Sequence, residues 1–232
     1  WGLALLLSVV LPMIINQIKA RTNPDIQAQI EIAYTPSPST VERFGLLTII
    51  VLGEVIVSVV RGVSQHHQLG WLVGITAVLG MLIAIGLWWL YFDAISQHLP
   101  INTQPKTIGW MYLHLPLTAG IVATGAAVFN VVDRVGEPLA PETGWLLVGA
   151  VAVALISSAM LMRIIQIPAE QYQLYRRSGI VTFTSGSIIL LLGFTNLNTI
   201  PLLLIVIALM LAPVIYGIAV WVSMQGAKVE MI

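Results

Sequence analysis

There is no cysteine among the 232 residues, so disulfides, thiolate metal sites and cysteine nucleophiles are all excluded. Charge is scarce as well: charged residues make up 9% of the chain and the net charge is zero, which suggests no nucleic-acid partner. The spacings that mark common hydrolases and phosphate binders are missing too. There is no His-Glu-x-x-His, no Gly-x-Ser-x-Gly and no phosphate-cradling glycine loop, and the serines and threonines have no base at motif spacing. Neither enzymatic activity nor a cofactor is expected. Position 1 is Trp rather than an initiator Met, and an apolar stretch begins at once, so the chain is expected to start inside a larger protein.

What the chain has in abundance is apolar sequence, 58% of it, in runs too long and too numerous for one soluble core. The runs are unbroken where a barrel would alternate, so the expected fold is all-α: a polytopic transmembrane helical bundle with the lipid bilayer as its partner. About seven spans are expected in a single domain 1–232, near 1–17, 43–61, 70–93, 108–132, 143–167, 179–195 and 199–224. The first connection carries proline punctuation at Pro24, Pro36 and Pro38, with a short interfacial helix expected around 26–32. Ser39 or Thr40 is the expected cap of the second span, which puts Glu42 in its first turn.

If the spans alternate, Lys19, Arg21, Arg43, Lys106, Arg163, Arg176, Arg177 and Lys228 fall on one side and only Arg61 and Arg134 on the other. That bias places the first side, with the C-terminus, in the cytoplasm. Trp71 and Trp145 then mark the outer boundary, and Trp88, Trp89, Tyr91, Trp110, Tyr112 and Trp221 the inner one. Small residues at Gly74, Gly80 and Gly86, and at Ala150, Ala154 and Ser158, allow close helix approach.

The chemistry-bearing residues are few. Glu54 interrupts the apolar run between Arg43 and Arg61, whose dozen Leu, Ile, Val and Phe residues favour insertion by roughly 4–7 kcal/mol against a penalty near 3 for one acid. Eleven residues past Arg43, it sits roughly 16 Å along the helix, near the membrane midplane. Arg43, Glu54, Ser58 and Arg61 share a narrow helical sector, expected to face the bundle interior. Two readings stand open: the stripe lines a proton or cation route with Glu54 titrating, or a protonated Glu54 hydrogen-bonds a neighbouring helix as structural glue. His114 and Asp93 lie toward the same side, and with Glu42 and Arg43 they compose an expected polar cluster leading to Glu54. The plainer alternative makes Asp93 a solvated boundary residue and ties His114 to a carbonyl freed by Pro116. His66-His67 lack a third spaced ligand, so no metal site is expected, and Asp133, Arg134, Glu137 and Glu142 read as an ion-paired loop.

Three stretches carry a family resemblance. The run Glu42-Arg43-Phe44-Gly45-Leu46-Leu47-Thr48-Ile49-Ile50-Val51-Leu52-Gly53-Glu54 closely resembles the signature of the bacterial low-temperature-requirement A (LtrA) membrane proteins. Trp88-Trp89-Leu90-Tyr91-Phe92-Asp93 is similar to that family's aromatic-Phe-Asp ending, and Tyr112-Leu113-His114-Leu115-Pro116-Leu117 with Gly120-Ile121 to its histidine-bearing span. The resemblance implies a multi-pass protein of the bacterial cytoplasmic membrane, linked by name to growth in the cold and without a defined activity. Family members carry a further N-terminal half, so this chain resembles a C-terminal portion. A missing half, partner helices or a homo-oligomer would complete any site around Glu54. Two functions are therefore carried forward: proton or cation transport through Glu54, His114 and Asp93, or a non-catalytic protein of envelope organisation and partner assembly.

Overall fold

A computed structural model describes residues 36–68 and 70–229, together with Ile15 and Ile18. Six long helices follow one another: α1 (Pro38–Ser64), α2 (Trp71–Ala94), α3 (Gln104–Asp133), α4 (Pro141–Leu161), α5 (Tyr172–Leu191) and α6 (Thr199–Val229). Short 3-10 turns at Ala169–Gln171 and Leu192–Phe194 flank α5. Six helical segments among the described residues are long and apolar enough to cross a membrane. The chain is a multi-pass helical membrane protein. Apart from Ile15, the expected span 1–17 lies outside the described residues, as do the expected helix at 26–32, Lys19 and Arg21.

Local chemistry sets the helix ends. Ser37, rather than Ser39 or Thr40, caps α1: its hydroxyl accepts from the Thr40 N–H at 3.3 Å. Pro38 takes the first helical position, where its missing N–H costs nothing, so the helix starts earlier than the apolar run. At α4 the expected span overshoots, because the helix stops at Leu161 and the chain turns outward to bond a neighbouring connection. Gln166 N–H donates to the Leu99 carbonyl at 2.7 Å and Ile101 N–H to the Ile164 carbonyl at 2.8 Å. The α2–α3 and α4–α5 connections are thus tied together at one end, around a bridge between Pro100 and Ile165. Helix α5 begins at Tyr172, ahead of the expected 179, since Arg176 and Arg177 ride its exposed first turns.

The alternation holds through all six helices. Arg43, Lys106, Arg163, Arg176 and Arg177 gather at the end tied by that bridge, called here the basic end, and Arg61 and Arg134 lie at the other. Each helix packs most extensively on two neighbours, closing a ring in the order α1, α3, α4, α5, α6, α2, and α2 also touches α3 where Gly80 meets Val128. Small residues set the tightest approaches. A Cβ added at Gly120 would stand 2.8 Å from the Ala150 carbonyl and 2.9 Å from Ala154 N, and one at Gly80 would stand 2.6 Å from Val128. The close approach expected of Ala150 and Ala154 is therefore made to α3. Gly74, by contrast, has open space beside it.

Candidate functional site

Helix α3 carries an unusual buried face at its basic end. Thr103, Thr107, Trp110 and His114 recur at steps of four, three and four residues, one side of the helix, with Gln104 beside them. Gln104, Thr107, Trp110 and His114 are all buried. Thr103 Oγ1, Gln104 Nε2, Thr107 Oγ1 and Trp110 Nε1 have no hydrogen-bond partner. Buried polar groups are almost always bonded to protein or to water, so such a run calls for water as its partner. From Thr103 to His114 this column spans roughly 16 Å of helix.

The column ends on a bonded chain. His114 Nδ1 lies 2.7 Å from the Trp110 carbonyl, which only accepts, so Nδ1 carries a proton. His114 Nε2 is 3.1 Å from the Tyr91 hydroxyl. The Thr48 hydroxyl, on the side of α1 that faces Tyr91, donates to the Phe44 carbonyl at 2.8 Å. Aromatic rings enclose the imidazole: Phe44 and Trp110 at 4.6 Å between centroids and Tyr91 at 5.8 Å. The carbonyl that Pro116 frees by lacking an N–H belongs to Tyr112, four residues back, so it is not the one His114 bonds.

Two contacts tie the Trp110 carbonyl, His114 and Tyr91 together, and a neutral imidazole and a phenol supply their two protons. A third proton can enter at Nε2. The imidazolium then donates from both nitrogens, the Tyr91 hydroxyl turns its proton away from the ring, and Thr48 keeps its bond to the Phe44 carbonyl. Burial works against the cation, and hydrogen bonds at both ring nitrogens work for it.

Glu54 lies elsewhere. The packed face of α1 runs through Gly45, Thr48, Leu52, Val55, Val59 and Gly62, while Arg43, Glu54 and Arg61 sit on the opposite side. Only Ser58, at the flank, is buried against α3, where it meets Gly125. The expectation that the stripe faces the interior is therefore corrected for the described residues. Glu54 Oε1 pairs loosely with Arg61 Nη1 at 3.9 Å, the one ion pair among the described residues, and the Glu54 side chain is 50% exposed. Phe44, which touches His114, is ten residues away along α1, roughly 15 Å.

Asp93 is separated from His114 as well. Two residues beyond Tyr91, it turns to the far side of α2 and lines a cavity with Glu170 and Tyr175. Glu42 is exposed and lines a different opening with Phe92 and Ser96. The expected cluster of Glu42, Arg43, Asp93 and His114 is not assembled. Nor is the Asp133, Arg134, Glu137, Glu142 loop ion-paired, as suits exposed charges that gain little from pairing in water. His66 caps a helix end instead of a metal, its Nε2 donating to the Val132 carbonyl at 2.8 Å. No group of three metal-ligating side chains occurs among the described residues.

Sequence reasoning passed over Tyr91 and Trp110 by placing both at the membrane boundary. Each is 1% exposed and belongs to the buried cluster, whereas Trp88, Trp89 and Tyr112 do sit outside as expected. The four-and-three spacing of Thr103, Thr107, Trp110 and His114 was the available signal.

Residues 1–224 match the family described as Bacterial low temperature requirement A protein (LtrA). The chain belongs to the LtrA family. Neither the comparison with curated proteins nor that with solved structures gave a match. In this LtrA chain the three resembling stretches converge on one place: Phe44 and Thr48 come from the first, Tyr91 from the second and His114 from the third.

One LtrA histidine outside the spans makes a pH prediction. His98, in the α2–α3 connection, stacks edge-on against Tyr175 with its Nδ1 buried and unbonded, and burial pushes its pKa below the ordinary 6.5. Below pH 6.5 the unfolded chain takes up a proton that the folded chain refuses, so stability falls with acidification until His98 itself titrates. Thermal melts from about pH 7.5 down to about pH 5, either side of the ordinary histidine value, should show that loss. His98→Gln should flatten it; an equal acid slope in the variant would assign the effect to other groups.

Proposed function

We propose that this LtrA protein handles protons, with His114 as the titrating group and the Thr103-to-Trp110 face of α3 as the approach from the basic end. The reading rests above all on the buried His114, whose Nδ1–H is held by the Trp110 carbonyl and whose Nε2, beside the Tyr91 hydroxyl, is the place for a proton to enter. Unbonded polar atoms leading up to it support the same route, because a membrane protein keeps such groups inside the bilayer for function more often than for stability. This moves the proton site expected at Glu54 to His114, and leaves Asp93 off the route. The membrane is taken to be the bacterial cytoplasmic membrane, with the basic end and C-terminus in the cytoplasm.

Proteoliposomes loaded with a pH-sensitive dye test the route. Wild-type protein should dissipate an imposed pH gradient, and His114→Gln should slow this by about a hundredfold or more, the scale of losing a positioned proton-transfer group. Tyr91→Phe should follow it, whereas Glu54→Gln should conduct as wild type does. A well-folded His114→Gln protein with unchanged flux would end the proposal. The same vesicles, sorted by orientation, report through protease access to a C-terminal tag which end is cytoplasmic.

A second reading, partner assembly in envelope organisation, draws on the outward face of α1. Arg43, Leu47, Ile50, Glu54, Val57 and Arg61 are exposed there at alternating steps of four and three, the pattern of a helix-packing seam. It gains ground if wild-type protein moves no protons while Glu54→Gln changes the oligomeric state.

A further inference from the structure

A cavity of about 430 Å³ opens at the basic end between α2, α5, α6 and the α4–α5 connection, on the other side of α2 from His114. Its size is that of a small-molecule site, typically ~300–1,000 Å³. Two carboxylates line it, Asp93 from the last turn of α2 and Glu170 from the turn before α5. Among the described residues no Lys or Arg does, although Arg163, Arg176 and Arg177 stand at the same end. Among the described residues neither acid has an ion-pair partner, and both are exposed at the mouth of the cavity. Trp89 and Tyr175 add aromatic walls, and Gly217 of α6 exposes bare backbone: a Cβ built on it meets nothing within 4 Å.

These features select a class of ligand. Uncompensated carboxylates call for a cation, and aromatic walls with an apolar α6 side call for one that carries hydrocarbon. A bare metal ion is a poor fit, because no third ligating side chain among the described residues joins the two acids. We propose that this cavity binds a small amphipathic organic cation, its ammonium held between Asp93 and Glu170 and its apolar part against Trp89 and α6. The site is independent of the proton reading, since none of its residues belongs to the His114 chain.

Calorimetry on the full chain in lipid nanodiscs provides the test, with benzyltrimethylammonium as the probe and N-benzylacetamide as a neutral compound of similar size. The cation should saturate one site and bind about tenfold or more tightly than the amide, the margin expected of charge-assisted carboxylate and ring contacts. Asp93→Asn should weaken the cation by about tenfold and leave the amide unchanged. Gly217→Leu places its side chain in the open space and should abolish binding while the melting temperature holds. Equal binding of cation and amide would overturn the proposal, as would an absence of saturable cation binding. So would cation binding that neither Asp93→Asn nor Gly217→Leu alters in a protein that stays folded.

Discussion

Replacing Gly120 with leucine is expected to unfold the bundle or prevent its assembly. A Cβ at this position would stand 2.8 Å from the Ala150 carbonyl oxygen, 2.9 Å from Ala154 N and 3.2 Å from Ala154 Cβ. Two of those three atoms are helix backbone, which cannot rotate aside as a side chain can. Helices α3 and α4 would have to part, and α3 also carries α1 and α2 on its other faces, through Val132 against Gly62 and Val128 against Gly80. The strain is therefore shared by three helix interfaces. Overpacking of a side-chain core costs about 1–3 kcal/mol, and a clash with backbone should exceed that range. Gly120→Ala should be milder in degree and the same in sign. The matched control is Gly74→Leu, in a helix where the added carbon meets nothing within 4 Å. Unfolding in mixed micelles, followed by tryptophan fluorescence, should separate the two by several kilocalories. Comparable stability in the Gly120→Leu and Gly74→Leu proteins would mean that the α3–α4 contact is not the tight joint described.

The small residues prove to be the more readable part of this sequence, and Glu54 the more misleading. In a soluble helix, apolar positions mark the inside. In a bilayer both the packed face and the lipid face are apolar, so the Leu, Ile and Val residues of α1 do not say which way it turns. Gly45, Thr48, Ser58 and Gly62 do, because a small side chain is needed only where another helix approaches. Those four lie on or beside the packed face, and Glu54 lies across the helix from it. The same ambiguity misplaced Tyr91 and Trp110. An aromatic residue near a span end reads as a boundary anchor, yet these two are 1% exposed and close around His114. Helix class, the order of the spans and the basic end were legible because they follow from composition and charge, which the fold cannot rearrange. Pairing between helices was not, since Thr48, Tyr91 and His114 come together only through the ring order α1, α3, α4, α5, α6, α2. The resembling motifs held the members of that cluster without revealing that they meet.

If the polar face of α3 exists for proton passage, removing it should leave the protein at least as stable and stop its flux. The double change Gln104→Leu with Thr107→Val keeps side-chain volume close to native and deletes two of the unbonded polar atoms. A buried polar group without a partner costs about 1–3 kcal/mol, and one bonded to an ordered water much less, so the variant should gain between zero and about 2 kcal/mol. Proton flux should nonetheless drop by about a hundredfold or more, because an apolar stretch breaks the hydrogen-bonded file before it reaches His114. The opposite signs carry the argument. A purely structural pair of residues would lower stability when deleted and leave flux per folded molecule alone. Chemical denaturation in mixed micelles and dye-loaded proteoliposomes, run on the same preparation, read both quantities. Loss of stability would mean that Gln104 and Thr107 are bonded after all, and flux that survives in a stable variant would route the protons elsewhere than along α3. The expected outcome, a protein made steadier and silent by one double change, fits a face whose buried polarity serves transport at the expense of stability.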